Sequence, residues 1–175
     1  MGKKRRLPNI DRKEAKTRIE SGWGIIDTSG RTRVSRERST VALASKNISY
    51  AVQCKANSKT QIFRAYKNCY PKEDLNVIIH ATCIFYCLDP HIDTIPGVFI
   101  CADGMGPGRL THHLQRMLGQ KYQKNKVLVY SSLAPFLGKK NAGDRLAYFT
   151  NRKGGCPPSR LLGINELERF LKKKA

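Results

Sequence analysis

The sequence predicts a single α/β domain on a mixed sheet, with three antiparallel strands first and alternating helices and strands after them. Three observations point there. Between residues 22 and 55, short apolar runs alternate with polar positions and are divided by turn residues, the pattern of strands joined by hairpins. From residue 71 onward, helix-start signals alternate with the apolar runs 97–102 and 127–130, the rhythm of strand–helix–strand units. At 175 residues, 40% of them hydrophobic, the chain has material for one real core, and two would be a squeeze.

Residues 1–21 read as a basic arm broken by Pro8, with a short helix expected over 11–20. Gly22-Trp23-Gly24-Ile25-Ile26-Asp27 predicts a strand that ends at Asp27 and turns at Thr28-Ser29-Gly30. Residues 31–38 carry Arg31, Arg33, Arg36 and Arg38 and read as a solvated loop or a sheet edge. Residues 39–45 and 48–54 alternate apolar and polar around Lys46-Asn47, which predicts a β-hairpin. Residues 58–70 are ambiguous, and an extension of the sheet is one reading.

Pro71-Lys72-Glu73-Asp74 has the form of a helix start, with proline in the first turn and acids at the positive dipole end. Residues 75–88 are apolar all round, so their length and start, not their period, favour a helix over a buried strand. Residues 97–102 predict a buried strand. A glycine-rich turn leads into a helix over 109–122 with Leu110, Leu114, Met117 and Leu118 on one face. A further strand is expected at 127–130, a flexible basic loop at 137–143, and a helix opened by Asp144. The α/β domain is therefore placed at 22–153, followed over 154–175 by a Gly/Pro break and a basic C-terminal helix predicted at 165–172.

Charge narrows the partners. With 33 Lys+Arg against 13 Asp+Glu, the net charge is +20, which points to a polyanion: nucleic acid first, ribosomes or anionic membranes after it. The longest apolar run, 77–88, is interrupted by His80 and Thr82 and is too short to span a bilayer. Lys3-Lys4-Arg5-Arg6 is followed by no apolar stretch of the secretory kind. Most of the six cysteines sit in apolar runs, which suits reduced, buried thiols and a cytoplasmic address. A zinc site from His80, Cys83 and Cys87 with Cys69 is the lesser reading, since the surroundings are apolar and no Cys-x-x-Cys pair occurs.

Against that basic background, sparse carboxylates are conspicuous. Asp27 ends the first predicted strand, Asp103 follows the fourth and Asp144 begins the helix after the fifth. If strands one and four are parallel neighbours, their carboxyl ends open on one crevice. Three hard oxygen donors there suit Mg²⁺ or Mn²⁺, the ions that promote in-line phosphodiester hydrolysis. Each aspartate alone also has a structural explanation, as an Asx turn or a first-turn helix residue. Their joint placement is what points to a site.

Ile26-Asp27-Thr28-Ser29-Gly30, the aspartate after the fourth strand and Gly143-Asp144-Arg145-Leu146-Ala147-Tyr148 together resemble the ribonuclease-H-like superfamily. The likeness is greatest to the branch that opens on an Asp-x-Ser-Gly strand and closes on an Ala-Asp-x-x-Ala-type helix. It covers about residues 22–152. The resemblance implies a metal-dependent nuclease with Asp27, Asp103 and Asp144 as ligands of Mg²⁺ or Mn²⁺. The superfamily often has one more acid on its first helix; Glu73 is the candidate here, with Asp74 and Asp89 as alternatives.

Contacts to nucleic acid, DNA or RNA, are expected from Arg31, Arg33, Arg36, Arg38, Arg109, Lys139, Lys140, Arg145, Arg152 and Lys153. Five of these, from Lys139 to Lys153, flank Asp144 in sequence and suit backbone gripping around a cut. Gly104-Met105-Gly106-Pro107-Gly108-Arg109 is either a phosphate contact or, the favoured reading, a tight strand-to-helix connection. The rival from another class is a non-catalytic nucleic-acid- or ribosome-binding protein of the same fold. A small-molecule or nucleotide enzyme using the glycine turn is a third possibility.

Overall fold

The computed structural model describes residues 10–30 and 37–171. The basic stretch before residue 10, the loop arginines Arg31, Arg33 and Arg36, and residues 172–175 lie outside them. The described elements run α1 (Arg12–Glu20), β1 (Gly24–Ser29), β2 (Ser39–Ala44), β3 (Ser49–Cys54), α2 (Ala56–Tyr66), α3 (Lys72–Leu88), β4 (Val98–Cys101), α4 (Pro107–Leu118), a 3-10 turn (Gly119–Lys121), β5 (Val127–Tyr130), α5 (Ala134–Leu137), α6 (Ala142–Asn151), β6 (Arg160–Leu162) and α7 (Ile164–Glu168).

One mixed sheet of six strands, ordered β5-β4-β1-β2-β3-β6, organises the fold. Strand β2 pairs antiparallel with both β1 and β3, while β1–β4, β4–β5 and β3–β6 are parallel, so β2 alone runs against the rest. The expected hairpin is present, closed by Ser45 N–H donating to the Ile48 carbonyl at 2.8 Å. The sheet is covered on both faces, and all six residues of β2 are buried.

Side-chain alternation divides the strands between those faces. Ile26, Val41, Leu43, Val52, Ile100 and Val129 join the larger core with residues of α2, α3, α4 and α7. Their sequence neighbours Ile25, Phe99 and Leu128 point the other way, into a second cluster with Trp23, Ala15 and Leu133. On that same side Ala42 and Ala51 pack against Ala147 of α6. Small side chains at these positions let α6 lie close to the sheet.

Helix α3 forms as its start signal and length predict, and 14 of its 17 residues are buried. The ambiguous stretch after residue 55 is a helix, not more sheet. Its buried stripe is Ser58, Lys59, Ile62 and Tyr66, and half of that stripe is polar, which hides the helical period. Lys59 is wholly buried. Desolvation lowers its pKa, and the neighbouring Cys54 and Cys83 thiols oppose that shift.

Beyond the Gly/Pro break, the chain re-enters the sheet. β6 pairs with Val52–Cys54 of β3, and Leu162, Leu167 and Leu171 join the larger core. The sequence predicts neither β6 nor the placement of the last helix at Ile164–Glu168. The cysteines are free: Cys54, Cys83 and Cys87 are buried, Cys69 and Cys101 half-buried, and Cys156 exposed. No helix among the described residues is long and apolar enough to cross a membrane.

Candidate functional site

Asp27 is not the last residue of its strand. β1 continues to Ser29, and Asp27 pairs with Ala42 of β2. The first half of the strand is buried and the second, from Asp27, is half-buried, so the carboxylate stands where the core gives way to a polar rim. Alternation puts its side chain on the α6 face, with Ile25.

Two hydrogen bonds fix this carboxylate. Asn141 Nδ2 donates to Asp27 Oδ2 at 2.7 Å, and the Thr28 backbone N–H donates to Oδ1 at 2.9 Å. Asn141 is buried and is the N-cap of α6, its Oδ1 accepting from the Asp144 N–H at 2.9 Å. One side chain therefore joins β1 to the first turn of α6 and sets Asp27 against Asp144. Asp144 is the third residue of α6, not its first, because the helix begins at Ala142. Its carboxyl pKa is raised by burial first and by the negative charge of Asp27 second, against the lowering effect of Lys140.

Asp103 approaches from β4. β4 lies parallel beside β1, with Ile26 opposite Ile100, so the adjacency on which the shared crevice depends is present. Asp103 takes the left-handed backbone conformation, φ 49°, followed by Gly104 at φ 70°. Aspartate and glycine are among the residues that tolerate this region. Between Asp27 and Asp103 lies Cys101. Its thiol pKa is pushed up to about 11, chiefly by burial and then by the charge of Asp27, while a hydrogen bond from the Asp103 backbone opposes the rise.

Iodoacetamide at neutral pH is accordingly expected to modify exposed Cys156 and to spare Cys101, because the thiolate is the nucleophile. Peptide mass spectrometry reads this directly. Equal labelling of the two would contradict the environment described for Cys101.

Glu73 stands apart from the Asp27–Asn141–Asp144 link. It is the second residue of α3 and highly exposed, with Arg109 at 4.0 Å. Arg109 also pairs with Asp74, so two acids already engage this predicted phosphate contact. The three residues border the start of α4, where a cavity of about 500 Å³ is lined by Lys72, Glu73, Asn76, Val77, Gly104, Met105, Gly106 and Arg109. The Gly104–Gly108 segment is a tight strand-to-helix turn, with Met105 N–H donating to the Ala102 carbonyl at 2.9 Å.

The other basic candidates are distributed unevenly. Lys139, Lys140, Arg145, Arg152 and Lys153 are exposed around α6, and Arg38 is exposed before β2. Among the described residues, no three His, Cys, Asp or Glu side chains gather closely enough to hold a metal ion between them. Asp27, Asp103, Asp144 and Glu73 thus form no ready-made cage. The structure sets Asp27 and Asp144 to either side of Asn141, and Asp27 and Asp103 to either side of Cys101. Sequence reasoning misses both intermediaries. Asn141-Ala-Gly-Asp144 has the spacing of a helix N-cap and its N3 acid, a signal that identifies Asn141; nothing comparable marks Cys101.

Comparison with known proteins finds no matching family model, no matching curated protein and no matching solved structure.

Proposed function

We propose that this protein is a ribonuclease-H-like nucleic-acid-binding protein that hydrolyses phosphodiesters with a divalent ion, Mg²⁺ or Mn²⁺. The observation that carries this reading is the half-buried pair Asp27 and Asp144, linked through Asn141, which donates to the Asp27 carboxylate and accepts from the Asp144 main-chain N–H. Burial first and the like charge of Asp27 second raise the pKa of Asp144. Mutual repulsion of this kind is what a bound dication relieves. The strand order β5-β4-β1-β2-β3, with only β2 reversed, supports the architecture that the motifs resemble.

The donor set fits the ion in a specific way. Magnesium demands an octahedron but keeps several waters, and one or two protein carboxylates plus substrate phosphates commonly suffice. Asp27 and Asp144 would hold it, with waters and substrate phosphate completing its shell and Asp103 standing nearby, just beyond the strand that carries Cys101. When bound, the ion supplies charge stabilisation to the attacking and leaving oxygens of an in-line displacement. Asn141 orients the Asp27 carboxylate, and the exposed Lys139, Lys140, Arg145, Arg152 and Lys153 would take the flanking phosphates. Cleavage of labelled DNA and RNA by the full chain with Mg²⁺ or Mn²⁺, and none in EDTA, is the expected result.

A second reading, a non-catalytic nucleic-acid- or ribosome-binding protein of this architecture, is favoured by the lack of a three-ligand cluster among the described residues. It predicts salt-sensitive binding with no cutting under any divalent ion. That outcome would overturn the hydrolase proposal.

A further inference from the structure

Helix α6 presents two large aromatic rings to solvent. Tyr148 is 53% and Phe149 48% exposed, whereas Gly143, Ala147 and Thr150 on the opposite side of the helix are buried against the sheet. The rings lie 5.6 Å apart, edge to face at 71°. Among the described residues the other large apolar side chain left this exposed is Leu161, at 47%. Leu161 pairs with Gln53, whose amide reaches the Thr150 carbonyl of α6 at 3.5 Å. Cross-strand partners share a face, so Leu161 belongs to the same side of the sheet as α6.

The rim of this patch is cationic. Arg145, Tyr148, Phe149 and Arg152 follow the i, i+3, i+4, i+7 spacing of one helix face. The Arg152 guanidinium lies 5.9 Å from the Tyr148 ring centroid. Tyr148 is also one helical turn beyond Asp144, which makes the ring and that carboxylate neighbours on the helix surface. Exposed aromatics beside arginines are what single-stranded nucleic acid binds, bases stacking on rings while phosphates meet cations. A duplex keeps its base faces inside its own stack and offers the rings nothing. A second copy of this chain would bring +20 against +20.

We propose that Tyr148 and Phe149 form a stacking platform for unpaired bases, which makes single-stranded nucleic acid the substrate class of the neighbouring carboxylate site. The inference rests on the nucleic-acid reading above but not on cleavage, so it is tested without metal. Fluorescence anisotropy in EDTA would compare the full chain on labelled oligothymidylate and oligouridylate of about 16 nucleotides, a typical upper site size for one binding domain. An abasic strand and a duplex of the same length are the comparators.

Both base-bearing single strands are expected to bind about tenfold or more tighter than the abasic strand or the duplex. Adding oligodeoxyuridylate, which differs from oligouridylate at the 2′ position alone, then shows whether deoxyribose or ribose is preferred. Tyr148→Ala with Phe149→Ala should abolish the advantage over the abasic strand and leave the salt dependence unchanged, since no phosphate contact is lost. Tyr148→Phe should retain the advantage, and equal thermal unfolding of the variants shows that the fold survives. Equal binding of base-bearing and abasic strands by wild type, or an undiminished advantage in the double variant, overturns the platform and leaves nucleic-acid binding standing. Failure to bind any strand at low salt overturns both.

Discussion

In Asp27→Asn protein, metal-dependent cleavage is expected to fall by at least about a hundredfold, the upper end of what losing a mere supporting group costs at a metal centre. Binding to nucleic acid should be unchanged. The substitution removes the one carboxylate that both Asn141 and Cys101 engage; the amide keeps a single acceptor oxygen, which can take the Thr28 N–H, while its NH2 cannot accept from Asn141 Nδ2. Losing the Asn141 hydrogen bond is expected to cost about 1 kcal/mol, or a few °C, and relief of the like charge beside half-buried Asp144 offsets only part of that at neutral pH.

The sign follows from proton binding. The pKa of Asp144 is raised in the folded chain by burial and by Asp27, so the native state holds the proton more tightly than the unfolded chain does. Stability is therefore lost as pH rises through the carboxylate range, and full ionisation leaves the penalty in place. Without the Asp27 charge, part of it disappears. This offset should operate at neutral pH and vanish once Asp144 is protonated in both states, so the deficit of the variant grows as pH falls. Thermal unfolding across that range measures it, alongside a gel assay of cleavage. Undiminished cutting by the variant would remove Asp27 from the chemistry.

Gly143→Ala is expected to cost about 1–3 kcal/mol, the usual range for forcing a methyl into a filled space, or roughly 3–10 °C in a chain of this size. A Cβ at Gly143 would stand 2.9 Å from the Ile25 carbonyl oxygen and 3.1 Å from the Asp27 backbone nitrogen. These are atoms of β1 and cannot swing aside as a side-chain tip would. Helix α6 must lift, and it takes Asn141 and Asp144 with it. Alanine's better helix propensity, about 1 kcal/mol, offsets only part of this.

Gly108→Ala is the matched control. It lies in the first turn of α4, and its Cβ would meet nothing within 4 Å. The same change there should stabilise by a few tenths to about 1 kcal/mol. Scanning calorimetry on the two variants decides the matter, and shifts of the same sign would show that α6 does not rest on β1 as described.

How legible all this was in the residues varies with the physical signal. The hairpin of β2 and β3, the buried runs of β4 and β5 and the proline-led, acidic start of α3 each carry a period, length or turn that favours one element. Helix α2 does not, because its buried face includes Ser58 and Lys59, and polar residues on a core face erase the stripe by which helices are found. β6 is three residues long and follows two prolines, so no alternation can develop. In the candidate site the three aspartates stood out because acids are scarce in this chain. Asn141 was hidden inside a stretch that reads as loop, and Cys101 inside one that reads as core. Which helix residues face solvent is also a tertiary fact: Phe149 counts as an apolar member of α6 in sequence yet lies outside.

β6 has a consequence for how the chain survives in solution. Its three residues occupy the flank of β3 that would otherwise leave the main-chain groups of Val52–Cys54 open to a foreign strand. Clipping the exposed Gly154-Gly155 link would free that border and leave the chain prone to self-association through β3.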